Sequence, residues 1–148
     1  MIAAIDPGMK GAIALLYDDN TLYIEDMPTL DKEVNAAAVS GIFVEFPPDH
    51  VYLEFVNGWN MGASSAFNFG QGMGVLKGVI ATLEIPYTMV PPAQWKKHYH
   101  LSRDKDASRA AATRLFPKNA ELFKRKKDDG RAEAALLALY AREKGATI

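Results

Sequence analysis

Residues Met1–Leu16 read MIAAIDPGMKGAIALL. Ile2–Ile5 is a short apolar run with Asp6 at its end; Pro7-Gly8 breaks the pattern, and after Gly11 a second apolar run begins, Ala12–Leu16. Apolar runs of this length, bounded by Gly and Pro, predict strand, turn, strand. A core strand has no use for an unpaired acid, because burying a charge is costly. Asp6 therefore needs a cation, a metal or hydrogen-bond donors, unless it serves only the turn, where Asp-Pro-Gly is good chemistry in its own right.

Outward from this hairpin, Leu22–Met27 (LYIEDM) predicts a third strand after the Asp18-Asp19-Asn20 turn, so the chain opens as an antiparallel meander. Asp31 is expected to cap a helix from about Lys32 to Phe46, stopped by Pro47-Pro48. His50–Val56 (HVYLEFV) is the next strand, with Val51, Leu53 and Phe55 on one face and Tyr52, Glu54 and Val56 on the other. Asn57–Gly74 is rich in Gly, Asn, Ser and aromatics and reads as a loop leading into a helix over Phe69–Leu83. Its GQGMG lacks the Lys-Ser/Thr of a phosphate-binding P-loop, and glycines along one helix face suggest close approach of another backbone. Pro86–Val90 predicts a strand and AQWKKHY a helical turn. Asp104 or Ser102 caps a helix through Leu115, and a last helix runs from about Asp129 to Lys144. The order β-β-β-α-β-α-β-α-α predicts an α/β fold with one mixed five-stranded sheet, its first three strands antiparallel and the rest added by βα crossovers, flanked by helices.

A chain of 148 residues, 49% hydrophobic and 24% charged, is expected to be one soluble domain, residues 1–148. The absence of cysteine excludes disulfides, thiolate metal sites and a Cys nucleophile. No basic, long-apolar leader and no run of about eighteen apolar residues is present, so neither a signal peptide nor a membrane span is expected. The net charge of −1 hides a division: residues 1–95 hold three Lys/Arg against eleven Asp/Glu, whereas residues 96–127 hold eleven against three. That basic segment is either a solvated helical surface or a polyanion-binding face beside a cation site.

Three places put acids where a fold does not need them. Asp6 is the first and Glu54, in the middle of a β-rich strand, is the second. The third is Asp128-Asp129-Gly130-Arg131-Ala132-Glu133 at the start of the last helix. Capping explains Asp128 or Asp129. It does not explain Glu133, which abuts the apolar positions Ala132, Ala135 and Leu136 and shares a helical face with Asp129. Acids from two strands and a helix fit Mg²⁺, a hard ion with oxygen ligands, and two such ions about 4 Å apart can clamp a phosphodiester displacement. Lys96–Lys127 would then hold substrate phosphates. His98 and His100, two apart with no acid beside them in sequence, read as surface residues of the basic patch, and Ser64 and Ser65 lack any nucleophile motif.

The strand IAAIDPG, the strand VYLEFV, the segment VPPAQWKK, the run DKDASRAAATRLFP and the final DDGRAEAALLALY together resemble the RuvC-type Holliday junction resolvases, the phage and organellar branch above all. The matches span Ile2 to Tyr140. The resemblance implies an RNase H-like fold, a homodimer, and Mg²⁺-dependent paired nicking of a four-way DNA junction, with two ions and Mn²⁺ as a substitute. It implies work in the cytoplasm of a bacterial or phage-infected cell, or in an organelle matrix, away from membranes. Asp6 matches the first-strand acid, Glu54 the acid of the later strand, and Glu133 the acid of the last helix. The bacterial pattern would place the remaining acid at Gly130; here Asp129 is assigned that role in preference to Asp128. Lys96, Lys97 and Lys105 fall where the family has basic residues near phosphate. Phe69, with Trp59 and Phe67 as alternatives, falls where it uses an aromatic near the junction centre, each of the three being open also to plain core packing. Two other readings remain: a non-catalytic or more broadly branched-DNA-specific junction-binding protein, and an actin-like nucleotide-binding opening, which would need a second domain.

Overall fold

β1 (Ile2–Asp6), β2 (Ala12–Leu16) and β3 (Leu22–Asp26) form the expected meander in the computed structural model, which describes residues 1–145. The β2–β3 connection is a three-residue turn: Asn20 N donates to Tyr17 O at 3.0 Å, and Asn20 takes the left-handed position (φ 68°) that such hairpins need.

The next segment departs from expectation. In place of a helix from Lys32, β4 (Thr29–Leu30) and β5 (Glu33–Val34) make a small hairpin, with Asp31 (φ 52°) and Lys32 (φ 62°) as its two turn residues. Positive φ at both central positions is the type I′ requirement and cannot open a helix. α1 (Ala36–Glu45) is capped by Asn35, whose Oδ1 accepts from Ala38 N at 3.1 Å, so Asp31 is not the cap.

β6 (His50–Glu54) pairs parallel with β1, and β7 (Tyr87–Val90) pairs parallel with β6. The mixed five-stranded sheet has the order β3-β2-β1-β6-β7, which places β1 at its centre. Between β6 and β7 runs α2 (Ala63–Thr82), which starts at Ala63 rather than Phe69. Among the described residues no other backbone comes close to its glycines: a Cβ at Gly70, Gly74 or Gly78 would find nothing within 4 Å. α3 (Pro92–His98) follows β7 at once, then α4 (Lys105–Leu115), whose cap is Asp104 and not Ser102, two 3₁₀ segments (Pro117–Phe123 and Lys126–Asp128), and α5 (Asp129–Lys144).

The sheet separates two cores. On one face Ala4, Ala12, Ala14, Leu16 and Tyr52 meet α5 through Ala132, Ala135, Leu136 and Ala138, with Trp95 of α3 and Ala112 of α4 beside them. On the other, Ile5, Ile13, Leu15, Val51 and Leu53 meet Val39 and Phe43 of α1 and Leu76 and Ile80 of α2. Among the described residues no helix is long and apolar enough to cross a membrane.

Candidate metal centre

Parallel pairing decides the first contact. Ala4 stands opposite Tyr52 and Ile5 opposite Leu53, so the next residues, Asp6 and Glu54, end adjacent strands side by side on the face that α5 covers. Ligands in open α/β sheets gather at such carboxyl ends. α5 then lays Glu133 over them, and one carboxylate oxygen from each of Asp6, Glu54 and Glu133 lies within 4.8 Å of the others.

The helix reaches this position because the contact beneath its first turn is almost bare of side chains. A Cβ on Gly130 would collide with the Lys10 carbonyl oxygen and lie 3.0 Å from Gly11 Cα and 3.3 Å from Asp6 Oδ2. A side chain at position 130 is therefore barred by the backbone beneath it, and no acid can stand there without moving α5. Two arginines fix the same turn. Arg131 grips Asp26 at the end of β3 with two hydrogen bonds, 2.7 and 2.9 Å. Arg125 binds Asp128 through its guanidinium at 2.9 Å and its backbone N–H at 2.8 Å. Asp128 is buried in that network; although burial opposes ionisation, the Arg125 hydrogen bonds and the Arg131 charge outweigh it and hold the carboxyl below its usual value. Asp128 is thus spent on the helix start. Asp129, outside the trio, carries an ion pair to Lys105 at 3.3 Å and points its field at Asp6 and Glu133.

The trio is poor in positive charge. Burial, then the charges of Glu54, Glu133 and Asp129, push the Asp6 carboxyl well above the usual range. Burial and then Glu133 push Glu54 up to about 7, against the pull of a hydrogen bond from Trp95 and of Lys96. Burial and the Asp129 charge raise Glu133, with Lys96 opposing at 3.6 Å. One buried and two half-buried carboxylates beside one ammonium must take up protons or a cation. An all-oxygen, anionic donor set of this kind suits a hard divalent cation and not a soft metal.

The remaining candidates lie around this centre without joining it. Lys96 touches Glu133, Lys105 touches Asp129, and Lys97 is exposed on the same helix as Lys96. Trp59 is 90% exposed and Phe67 67%, so core packing is not their role. Phe69 is half-buried; it packs toward Gly8 and lines an open cleft of about 910 Å³ with Met9, Asn68 and the β4–β5 hairpin, beside the turn that leaves Asp6. His98 is not a free surface residue: its Nε2 lies 2.8 Å from Glu143 Oε2, and its ring meets Tyr99 and Tyr140 edge-on, which ties α3 to α5. Sequence reasoning missed Trp95, fully buried, whose Nε1–H donates to Glu54 Oε2 at 2.9 Å. The available signal was a Trp one turn beyond Pro91-Pro92 at the end of a strand that neighbours the Glu54 strand.

No family model matches the chain, and no curated protein sequence does. Solved structures do. The RuvC of Thermus thermophilus in complex with a Holliday junction substrate superposes with a TM-score of 0.68 at 18% identity, over 96% of this chain and 95% of that one. The fold is the RuvC fold. The fowlpox virus resolvase with its junction DNA follows at 0.62 and 19% identity, over 97% of this chain and 99% of that one. The yeast mitochondrial Holliday junction resolvase gives 0.59 and 14%, over 93% and 75%. The RuvC-like, RNase H-like expectation for the mixed sheet is met.

Proposed function

We propose that this chain is a structure-selective DNA endonuclease, one nuclease domain over residues 1–148, that resolves four-way junctions by metal-dependent paired nicking. The observation that carries the reading is the convergence of Asp6, Glu54 and Glu133 within 4.8 Å, at the strand ends of a RuvC fold. Solved neighbours of that fold include two named as resolvases, and the fowlpox resolvase and the Thermus RuvC are each solved with a Holliday junction.

Asp6, Glu54 and Glu133 would hold Mg²⁺, with Asp129 at the outer edge contributing to a second ion, and Mn²⁺ substituting. A divalent ion there would polarise a phosphoryl oxygen and lower the pKa of a water beside it. The chain's own residues do the rest. Asp6 and Glu54, anchored in paired strands, would keep the oxygens that hold the ion fixed while negative charge shifts among the oxygens around phosphorus. Lys96 and Lys105 bring positive charge to the rim, where phosphate oxygens arrive, and Lys97 extends it. Trp59 and Phe67 are exposed for base stacking, and Phe69 shapes the cleft beside Asp6. Paired nicks need two sites, hence a homodimer. The exposed Gly70, Gly74 and Gly78, four apart on α2, leave a face bare enough for another helix to come close. The place of work is the cytoplasm of a bacterial or phage-infected cell, or an organelle matrix.

The test is a mobile four-way junction incubated with the purified protein, with and without Mg²⁺. Paired nicks are expected with Mg²⁺ alone. Asp6→Asn and Glu54→Gln should lower cleavage by on the order of a thousandfold or more, the several kcal/mol that metal-held charge supplies, while junction binding survives. Tight binding without nicking by the unsubstituted protein in Mg²⁺ or Mn²⁺ would establish the non-catalytic alternative.

A further inference from the structure

The Glu54 carboxylate is held from one side by a group that cannot itself bind metal. Trp95 Nε1–H donates to Glu54 Oε2 at 2.9 Å, and neither side chain has appreciable contact with solvent. An indole N–H donates one hydrogen bond and accepts none, so it fixes the oxygen without competing for a cation. The chain path makes this contact rigid. Glu54 pairs with Val90, Pro91 and Pro92 lead straight into α3, and the first turn of that helix swings the indole back over the end of β6. The next residue, Lys96, lies with its Nζ 5.3 Å from the centre of the Trp95 ring and 3.6 Å from Glu133 Oε1. One helical turn thus grips two of the three carboxylates, and the indole is packed on every side.

We propose that Trp95 is a positioning residue that restricts Glu54 to monodentate coordination and so sets the centre for Mg²⁺ against Ca²⁺. The inference rests on the metal reading of the trio. Mg²⁺ requires a tight octahedron and takes carboxylates through single oxygens, whereas Ca²⁺ accepts about six to eight oxygens and is well served by carboxylates that chelate through both. A hydrogen bond held on Oε2 by an immobile ring disfavours chelation through both oxygens. It costs Ca²⁺ a ligand and costs Mg²⁺ nothing.

The test removes the N–H and keeps the shape. In a Trp59→Phe background Trp95 is the only tryptophan, and it is replaced biosynthetically by benzothienylalanine, in which sulfur stands for the N–H. Binding of Mg²⁺ and of Ca²⁺ to the full chain is measured by calorimetry, with circular dichroism confirming the fold. Mg²⁺ affinity is expected to fall roughly tenfold or more, as for other groups that orient metal ligands, while Ca²⁺ affinity holds or rises. Trp95→Phe should shift the ratio the same way, and 5-fluorotryptophan, which keeps the N–H, should restore it. Unchanged affinities, or equal losses for both ions, would overturn the role of Trp95 and leave the metal centre standing. No saturable binding in the parent, or binding that survives Glu54→Gln, would overturn the centre itself.

Discussion

The two faces of the central sheet are built from different residues, and only one of them carries the acid trio. Under α1 and α2 the strands present Ile5, Ile13, Leu15, Val51 and Leu53, large side chains that hold the helices off. Under α5 they present Ala4, Ala12 and Ala14 beside Leu16 and Tyr52, and α5 answers with Ala132, Ala134, Ala135 and Ala138 beside Leu136. Interhelical and helix–sheet distances follow side-chain size, so the alanine face lets α5 come close. Close approach is what brings a helix carboxylate to two strand carboxylates. The bulky face supplies burial; the small face supplies proximity.

The contrast breaks most visibly if the bulky face proves chemically active. Leu76→Ala removes a fully buried side chain from that face and should cost about 2–5 kcal/mol, read as the shift in a urea midpoint. Mg²⁺ affinity of the still-folded fraction should not change. A parallel loss of Mg²⁺ binding would mean that the two cores are not independent.

The acids make the small face sensitive to pH in a way the other is not. Burial and Glu133 raise Glu54 from its ordinary 4.5 to about 7, and the Asp6 and Glu133 carboxyls are raised as well. Between roughly pH 4.5 and 7 the folded chain keeps protons that the unfolded chain has lost, so without divalent ions its stability falls as pH rises through that window. Stability is fullest at the acid end of the window. For Glu54 alone the difference is on the order of 3 kcal/mol. Urea midpoints in EDTA at pH 5 and 7.5 should therefore separate for the parent and draw together for Glu54→Gln, and Mg²⁺ should recover the loss at pH 7.5.

Gly130 sharpens the contrast, because two effects of opposite sign meet there. Helix propensity favours Gly130→Ala by about 1 kcal/mol. A Cβ would collide with the backbone at Lys10 and crowd Gly11, atoms that cannot swing aside, and overpacking of that kind costs about 1–3 kcal/mol. Collision should win: Gly130→Ala is expected to lower the melting temperature and the Mg²⁺-induced thermal shift together. A rise in melting temperature would show that α5 has slack over the β1–β2 turn. Gly41→Ala, inside α1 where an added Cβ would meet nothing within 4 Å, is the matched control for propensity.

Much of this was legible in the chain. The meander, the Glu54 strand and the last helix stand where apolar periodicity places them, since each is bounded by Gly, Pro or a change of period. The β4–β5 hairpin was not, because Asp31-Lys32 is an unusual pair for a turn with two positive φ angles and the strands are two residues each. The start of α2 was hidden by Gly62, Ser64 and Ser65, polar or flexible residues on an exposed first turn that packing does not select. At the site, Asp6 and Glu54 could be read as out of place singly. That Asp128 is consumed by Arg125 while its neighbour Asp129 faces the centre depends on the geometry of one turn, and the Trp95–Glu54 bond joins residues 41 apart.

The smallest expected effect lies at the rim. Lys105 pairs with Asp129, but its side chain is 77% exposed, so the pair should contribute at most about 1 kcal/mol and Lys105→Met should leave the melting temperature nearly unchanged. Its contribution to the proposed function is to phosphate instead. Each phosphate contact releases counterion, so Lys105→Met should flatten the dependence of junction affinity on salt by about one unit of log–log slope. Lys97→Ala should do the same without touching any carboxylate, since Lys97 takes part in no ion pair among the described residues. The two lysines then separate two kinds of rim. If Lys105→Met weakens Mg²⁺ binding or cleavage while the salt slope stays as it was, Lys105 acts through Asp129 and belongs to the centre. If only the slope moves, the centre ends at the carboxylates, and Lys105, like Lys97, serves the substrate backbone.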